Sequence, residues 1–509
     1  GVVKMAKKNV IIEKLHGIEI LSCVDVLCLD KTGTITDGTM EVVELIKLND
    51  KDNIEDIIAN INTNDANNST DKALKNKYGV KDNLKVEDRI PFSSAKKCSI
   101  TIIEGVKYYL GALEYITDKS ISDYPELDKY VKKGYRIITL AKEKNKLDVI
   151  GFIVIKDNIR SNAGDTLRYF KEQQVEIKII SGDNPSTVSN ILRQLDFEGY
   201  DRYIEGKDLP KDYNELVEVV KEKTIFGRMT PMHKQMVIKA LKENNTVGMI
   251  GDGVNDILAL KEADCGIALG SGVSAARSVA DVVLKTDDFS VLPSIVNEGR
   301  RVVNNIERVA SMYLIKTTYS FLLCLLSIGL SHEYPFYPIQ LSLISSVCVG
   351  IPSFFLALEP NYNKVGKDFI AKVFRNAVPN GITVVLNIFI IIMFCTIFNK
   401  NFENYRLVVV TLTGFITLRL LYTICKPLNL WRKILLIFCT ISFFELLILL
   451  PDLFLVSKFG IVSIIFILVL GFVDTYVIDF FRELYDKIVN KVRNLKNERK
   501  ERKEKNKLS

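Results

Sequence analysis

Six apolar stretches in the second half of the chain are each long enough to cross a lipid bilayer. A membrane-spanning α-helix needs about 20 residues, and a chain with several such segments cannot fold around one soluble core. The sequence therefore predicts an all-α, six-helix transmembrane bundle over residues 301–480, preceded by a soluble part. The predicted helices lie near 309–330, 336–357, 377–398, 406–425, 434–453 and 459–480.

Basic residues are distributed unevenly between the loops of this predicted bundle. The loops near 359–376 and 426–433 contain seven lysines and arginines, whereas the short loops near 331–335 and 454–458 contain only Lys458. Because basic loops stay on the cytosolic side, residues 1–300 and the tail 481–509 are predicted to be cytosolic. The same pattern predicts a multi-pass protein of the cell membrane.

The tail carries much of the formal net charge of +7. From Arg482 to Ser509 there are 11 lysines and arginines against 5 acidic residues. A basic run directly after a membrane span favours contact with anionic lipid headgroups over binding of nucleic acid. We therefore expect membrane lipid, and no nucleic acid, among the partners of the chain.

Three segments of the soluble part share one pattern, an apolar run that ends in Asp and Gly. They are VDVLCLD (24–30), VEIKIISGD (175–183) and NTVGMIGDGVND (245–256). Short apolar runs between helix-like segments are typical of buried parallel strands, and open α/β sheets place their chemistry at the carboxyl ends of such strands. Between 41 and 149 the composition shifts to Asn, Lys and Asp with alternating strands, which predicts an inserted α+β module.

DKTGTIT (30–36) indicates the chemistry most strongly. Asp30 follows a strand and precedes a turn of small residues, so its carboxylate is placed as a nucleophile beside backbone N–H groups that can hold phosphate oxygens. Thr32 can offer its carbonyl to Mg²⁺, and Thr34 its hydroxyl to a phosphoryl group. A capped turn without chemistry is the alternative for such a motif taken alone.

GDGVND (251–256) supplies two further carboxylates at a strand end. Phosphoryl transfer between anions requires Mg²⁺, which prefers oxygen ligands. We expect Asp30, Asp252 and the Thr32 carbonyl to bind the metal, while Asn255 and Asp256 brace the loop.

Two other short motifs fit the same reaction. Lys234 in TPMHK can neutralise charge that develops on the phosphoryl group. In SGD, the Ser181 hydroxyl and the Gly182 backbone can hold phosphate, and Asp183 is placed for contact with a mobile domain. Each motif alone is more often a turn than a site, but their combination predicts a catalytic centre.

The chain resembles the P-type ATPases from its first residue to its last helix. The motifs that carry the resemblance are DKTGTIT, DNIR (157–160), SGDNP (181–185), GRMTPMHK (227–234) and GDGVNDILAL (251–260). It implies an ATP-hydrolysing translocase in which Asp30 is phosphorylated, with Mg²⁺ and ATP as cofactors. It also implies that Asp157 and Arg160 form a hinge pair that contacts the nucleotide.

The resemblance implies an α/β, haloacid dehalogenase-like (Rossmann-like) phosphorylation domain with an inserted α+β nucleotide-binding domain. The implied segments are a stalk (1–23), the first part of the phosphorylation domain (24–40), the nucleotide-binding domain (41–149), the second part of the phosphorylation domain (150–300), the transmembrane region (301–480) and the basic tail (481–509).

In the inserted domain the resemblance places Phe92 on adenine, Lys97 near the nucleotide and Arg136 at the phosphates. One position departs from the family pattern. Many members have KGA where this chain reads LGA, and Leu110 has no ammonium group. We therefore expect nucleotide binding to depend on the backbone of Gly111 and on Lys97.

The family's cycle also uses an actuator domain with a TGE loop and a helix with a central proline motif. Neither motif is present in these 509 residues, which open on a stalk-like segment. We therefore expect a fragment or one half of a split pump, whose partner is the N-terminal half with the actuator domain and four more helices, in the same parent chain or as a separate chain.

Polar residues within the predicted spans are candidates for the ion path, because burying them in a membrane is costly. Hydrogen bonding between helices and snorkelling of the lysine are the alternatives. The candidates are Lys316, Thr317, Thr318, Ser342, Ser345, Ser346, Glu445 and Asp474.

The stretches SSVCVGIPSFFLALEPN and YLIKTTYS are similar to a bacterial subgroup of these pumps thought to handle calcium. Calcium is therefore the leading candidate ion, and magnesium, manganese, potassium, protons, lipid and polyamines remain open.

Two other classes of protein, a soluble phosphatase and a membrane regulator, are alternatives to a pump. A soluble phosphatase usually has a second Asp two residues after the first, where this chain has Thr32. A membrane regulator built on an inactive pump would have lost Asp30, Lys234 or Asp252, and all three are present.

Overall fold

Residues 5–14, 16–49, 52–65, 68–92, 97–330, 333–366, 369–397 and 405–508 are described by the computed structural model. The chain divides into two units, Gly1–Gly299 and Arg300–Ser509.

The first unit contains all the strands described here. They are β1 (Val10–Ile12), β2 (Val26–Leu29), β3 (Thr36–Lys47), β4 (Val86–Ile90), β5 (Cys98–Ile103), β6 (Val106–Gly111), β7 (Arg136–Glu143), β8 (Leu147–Ile159), β9 (Glu176–Ile180), β10 (Tyr203–Glu205), β11 (Ile225–Gly227), β12 (Val247–Gly251), β13 (Cys265–Leu269) and β14 (Val282–Leu284).

Eleven α-helices of the described residues begin and end within this unit. They are α1 (His16–Ser22), α2 (Ile54–Ile61), α3 (Ser69–Tyr78), α4 (Leu113–Ile116), α5 (Asp128–Lys132), α6 (Ala163–Glu172), α7 (Pro185–Gln194), α8 (Tyr213–Glu222), α9 (Pro231–Lys242), α10 (Ile257–Glu262) and α11 (Ser274–Val279).

An eight-stranded sheet with the order β1-β14-β13-β12-β2-β9-β11-β10 forms the first core. All its neighbours are parallel except β1 and β14. Strands β2, β12 and β13 are fully buried, which fits their unbroken apolar sequence. The predicted α/β class is confirmed, and β12, β2 and β9 are adjacent strands at the centre of the sheet.

A second, antiparallel sheet with the order β3-β8-β7-β6-β5-β4 is inserted between β2 and β9. The chain enters it through β3 and leaves it through β8, and these strands pair from Thr36↔Ile159 to Lys47↔Gly151. Helices α2 and α3 pack on one face. The predicted α+β insertion is therefore present, and the predicted boundary between residues 40 and 41 lies inside β3.

The second unit is helical. Its elements are α12 (Leu292–Leu330, which begins before the unit boundary), α13 (Pro338–Leu343), a π-helical segment (Ile344–Gly350), α14 (Ile351–Leu358), α15 (Phe369–Ile397), α16 (Tyr405–Ile424), α17 (Leu430–Leu449) and α18 (Ile461–Leu508).

Five helices of the described residues are long and apolar enough to cross a membrane: Phe289–Gly329, Pro338–Leu358, Phe369–Ile397, Tyr405–Ile424 and Ile461–Leu495. The remaining predicted span coincides with α17, which has suitable length but contains Arg432, Lys433 and Glu445. Transmembrane-capable helices in the second half are thus confirmed, and a sixth span at α17 stays a prediction.

Candidate active site

The carboxyl ends of β2, β9 and β12 bring three of the predicted motifs to one edge of the sheet. Asp30 directly follows β2, and its N–H donates to the Ile250 carbonyl of β12 at 2.9 Å. Ser181 directly follows β9, and its N–H donates to Phe226 of β11 at 2.9 Å. Asp252 directly follows β12. These ladder bonds fix where each side chain leaves the sheet, as expected for parallel strands.

Lys234 on α9 joins two of the carboxylates. Its ammonium donates to Asp30 Oδ1 at 2.9 Å and to Asp256 Oδ1 at 2.6 Å, and all three residues are buried. Burial would lower the pKa of Lys234, but the carboxylates of Asp30 and Asp256 outweigh it and raise that pKa. The lysine is therefore held as a cation against the proposed nucleophile.

Burial has the opposite effect on the carboxylates. It raises the pKa of Asp30 to about 7; Lys234 opposes this shift, and Asp256 adds to it. Burial, followed by the charge of Asp256, raises the pKa of Asp252 to about 6. Carboxylates that resist ionisation when alone are stabilised as anions by a nearby cation.

The carboxylate oxygens of Asp30, Asp252 and Asp256 lie within 4.8 Å of one another, which suits a hard divalent cation such as Mg²⁺. Asp256 is already engaged, because Oδ1 accepts from Lys234 and Oδ2 accepts from the Gly253 N–H at 3.1 Å. Asp30 and Asp252 therefore fit the metal better, and Asp256 fits the bracing role predicted for it.

The turn after Asp30 passes close to Asp252. Gly33 has a φ of +75°, and a Cβ there would lie 2.5 Å from Asp252 Oδ2. The Thr34 hydroxyl is buried without a hydrogen-bond partner, so it is available to bind a ligand oxygen. Thr32 and Asn255 are exposed beside this turn.

A second charged cluster lies beside the turn. Lys31 is fully buried, and its ammonium binds Asp157 at 2.8 Å and also contacts Asp183. Arg136 donates to Asp183 at 2.7 Å and lies 3.6 Å from Asp157. Burial alone would raise the pKa of Asp183, but Arg136 and Lys31 hold it below its usual range. Two cations and two carboxylates thus neutralise one another.

This cluster joins residues that the sequence placed in separate roles. Asp157 and Arg136 belong to the inserted sheet, whereas Lys31 and Asp183 follow strands of the parallel sheet. Arg160, at the end of β8, donates to the Gly33 carbonyl at 2.8 Å. The turn that carries the proposed nucleophile is therefore bound to the strand that leaves the inserted domain.

The predicted nucleotide-binding residues occupy neighbouring strands. Phe92 follows β4 and is 48% exposed, so its ring is accessible to a stacking partner. Lys97 precedes β5 and is exposed, and Gly111 ends β6, where it pairs with Cys98. Gly182 is exposed next to Ser181, whose hydroxyl accepts from the Asp183 N–H at 3.2 Å.

The predicted ion-path residues differ in their hydrogen bonds and in their exposure. The hydroxyls of Thr317, Thr318 and Ser342 donate to carbonyls one turn earlier in their own helices. The other candidates differ in exposure: Ser346 and Glu445 are exposed, Lys316 and Ser345 are half-buried, and Asp474 is buried.

Two of these candidates stand out. The Ser345 hydroxyl has no hydrogen-bond partner and lies in the π-helical segment. Asp474 accepts a hydrogen bond from Asn387 at 3.0 Å. Single-turn π-helices inside α-helices are frequent at functional sites.

The sequence did not predict that Lys31 pairs with Asp157 and Asp183, or that Asn387 binds Asp474. Lys31 is part of the DKTGT motif, but the motif does not tell which carboxylates its side chain reaches. Asn387 had a detectable signal, because it is an amide in the middle of an apolar span at helical spacing from Asn380 and Thr383.

Comparison with known proteins agrees with the geometry. A haloacid dehalogenase-like hydrolase family model matches residues 24–264. The probable cation-transporting ATPase exp7 of Streptococcus pneumoniae is 36% identical over 463 residues, which cover 86% of this chain and 59% of that protein. The calcium-transporting ATPase CtpE of Mycolicibacterium smegmatis is 36% identical over 406 residues, covering 75% and 51%.

A human relative, calcium-transporting ATPase type 2C member 2, is 30% identical over 435 residues, which cover 71% of this chain and 46% of that protein. The chain thus spans about half the length of the curated relatives it matches. Its identity to cation-transporting ATPases, its haloacid dehalogenase-like domain and the motifs gathered around Asp30 place it in one family. The chain belongs to the P-type ATPases.

Proposed function

We propose that Asp30 accepts the γ-phosphoryl group of ATP and that the resulting aspartyl phosphate drives cation transport. The single observation that carries this proposal is the cluster around Asp30. The Lys234 ammonium lies 2.9 Å from Asp30, and an oxygen of Asp252 lies within 4.8 Å of an oxygen of Asp30. A nucleophilic carboxylate, a fixed cation and metal-binding oxygens are the parts that phosphoryl transfer requires.

The roles of the chain's own residues follow from their positions. Lys234 neutralises charge on the transferred group, and the unpartnered Thr34 hydroxyl and Ser181 receive its oxygens. Asp252, Asp30 and the Thr32 carbonyl hold Mg²⁺, which would reduce the repulsion between the phosphate and the attacking carboxylate. Asp256 fixes Lys234, and Asn255 braces the loop.

For ATP, we propose a site that runs from the inserted sheet to the Asp30 turn. Phe92 stacks on adenine, and Lys97 and the Gly111 backbone lie beside the nucleotide. Arg136, Asp157, Arg160, Gly182 and Asp183 complete the phosphate end. Arg136 is paired with Asp183 in this structure. When ATP binds, a phosphate would replace Asp183 as the partner of Arg136.

Calcium is the leading candidate for the transported cation, since two of the relatives described above are named as calcium-transporting. Magnesium, manganese, potassium, protons or a non-ionic substrate are the alternatives. The proposed location is the cell membrane, with residues 1–300 and the tail in the cytosol. An actuator domain, in the same polypeptide or in a partner chain, would then release the phosphate from Asp30.

Phosphorylation with γ-labelled ATP tests the mechanism in membranes that contain the protein. We expect an acid-stable, hydroxylamine-sensitive phosphoenzyme that Asp30→Asn abolishes. Asp37→Asn is the matched control, because Asp37 lies seven residues later, is exposed and binds only Thr39 in the described residues. Equal labelling of wild type and Asp30→Asn would rule the mechanism out.

The same assay, repeated over candidate cations, tests the ion. We expect calcium to change the formation or the decay of the phosphoenzyme at concentrations where magnesium is already saturating. If calcium changes neither rate and manganese or potassium does, the calcium assignment is wrong while the aspartyl-phosphate mechanism stands.

A further inference from the structure

Helix α15 carries a stripe of polar side chains through an otherwise apolar span. Asn376, Asn380, Thr383 and Asn387 follow one another at intervals of four, three and four residues, which places them on one face of the helix. The last three are buried; Asn380 and Thr383 donate to carbonyls one turn earlier in α15, whereas Asn387 donates to another helix. Amides and hydroxyls buried along a membrane helix are costly and mark functional paths.

The stripe ends at a buried acid on another helix. Asp474 of α18 is 1% exposed, and its Oδ2 accepts a hydrogen bond from Asn387 Nδ2 at 3.0 Å. Within the part of the chain that the structure describes, no lysine or arginine forms an ion pair with Asp474. An amide is therefore its one hydrogen-bonded side-chain partner there.

An ionised Asp474 would be a buried charge that forms no direct ion pair within the described residues, and such a charge is disfavoured. Binding a proton removes the charge. Binding a divalent cation suits this place less, because calcium takes six to eight oxygen ligands and this pair offers one carboxylate and one amide oxygen. The chemistry of the pair thus favours a proton over a metal ion.

Charged groups near the pair come from two helices. Arg419 of α16 donates to the Thr475 carbonyl at 3.1 Å and to Asp479 at 3.5 Å. Asp479 and Arg482 follow on α18 itself, and the Asp479 side chain is 59% exposed. From α15, the group that faces the acid is the neutral Asn387. The hydrogen bonds of Arg419 thus go to Thr475 and Asp479, on the C-terminal side of Asp474 in α18.

We propose that Asp474, held by Asn387, is a proton-binding site at the end of the polar stripe that begins at Asn376 of α15. The carboxylate takes up one proton to become a neutral acid, and returns the same proton when it ionises. This inference goes beyond the proposed ATPase cycle and uses none of its steps, so the two can fail separately.

Infrared titration of the full chain in lipid vesicles tests the site through the carbonyl stretch of protonated carboxylic acids. Because burial also raises the pKa of Asp30 and Asp252, the quantity to read is the difference between wild type and Asp474→Asn. We expect a protonated-acid band that fades as the pH is raised and that is absent from Asp474→Asn.

Two further variants separate a proton site from a structural hydrogen bond. Asn387→Leu removes the donor that stabilises the ionised form, so its band should persist to a pH about one unit higher. Glu483→Gln, which changes an exposed carboxyl of α18, should leave the Asp474 band unchanged. The amide bands of the same spectra report whether each variant is folded.

The proposal is overturned if wild type and Asp474→Asn give the same acid bands at every pH, since Asp474 then never holds a proton. It is also overturned if the Asp474 band persists unchanged to about pH 9, since the acid is then permanently neutral. A titration that Asn387→Leu does not move would refute the role of Asn387.

Discussion

At the scale of single residues, the site around Asp30 is defined by an excess of negative charge. Three carboxylates, those of Asp30, Asp252 and Asp256, share one ammonium group, that of Lys234, which leaves two negative charges when all are ionised. Lys234 binds two of the acids and leaves Asp252 without a cation. A divalent metal at Asp252 balances the cluster, which is the electrostatic reason to expect Mg²⁺ there.

Gly33→Ala tests how tightly Asp252 is placed. The new Cβ would lie 2.5 Å from Asp252 Oδ2, so the carboxylate must shift from its position. We expect the Mg²⁺ concentration for half-maximal phosphoenzyme formation to rise by about tenfold or more, as roughly 1.4 kcal/mol of misplacement would produce.

Gly38→Ala is the matched control for this change. Gly38 has a similar φ, +79° against +75° at Gly33, but open space around its Cβ position. Both variants carry the cost of a left-handed alanine, about 1–2 kcal/mol, and only one displaces Asp252. Equal Mg²⁺ dependence in the two variants would contradict the proposed placement.

Asp30 and Asp252 were predictable from the sequence because they follow strand ends, and parallel strands end at one edge of a sheet. The second cluster was not. Its ion pairs depend on how far the end of β8 approaches the Asp30 turn, and nothing in DNIR or DKTGT specifies that distance. Arg136 was therefore assigned to phosphate, and its pairing with Asp183 was found only in the structure.

At the scale of elements, helix packing in the second unit depends on close approach. Gly414 lies in α16, of which 78% is buried, and a Cβ at Gly414 would overlap the ring of Phe443 in α17. Sequence indicated both helices from their apolar length. It did not indicate which glycine faces which ring, because that requires the crossing point of the helices.

Gly414→Ala should lower the thermal stability of the detergent-solubilised protein, because overpacking costs about 1–3 kcal/mol. The matched control is Gly471→Ala in α18, where the nearest atom to the new Cβ, Phe415 Cε1, is 3.7 Å away. The measurement is the temperature at which half of the protein aggregates. A drop of equal size in both variants would show that Phe443 does not limit the site.

The π-helical segment is a second feature at this scale that the sequence did not predict. Residues 336–357 were predicted as one apolar span, and the observed chain passes from α13 through Ile344–Gly350 to α14. Apolar composition favours helix in general but does not distinguish α from π hydrogen bonding. Within this segment, the Ser345 hydroxyl is buried and has no hydrogen-bond partner.

At the scale of the whole molecule, the number of spans decides which sides of the membrane the two ends occupy. Five spans would place residues before α12 and after α18 on opposite sides, and six would place them on the same side. The deciding element is α17, whose 20 residues are long enough to cross but include Arg432, Lys433 and Glu445. Two of these lie in its first turn, where basic side chains can reach the interface.

Thiol labelling with a membrane-impermeant reagent resolves this topology. Cysteines introduced at the exposed positions Lys426 and Asp452 flank α17, and one at Lys491 reports the tail. If α17 crosses the membrane, Lys426→Cys and Lys491→Cys react from one side of sealed vesicles and Asp452→Cys from the other. Reaction of Lys426→Cys and Asp452→Cys from the same side would remove α17 as a span, and would place the tail opposite the catalytic unit.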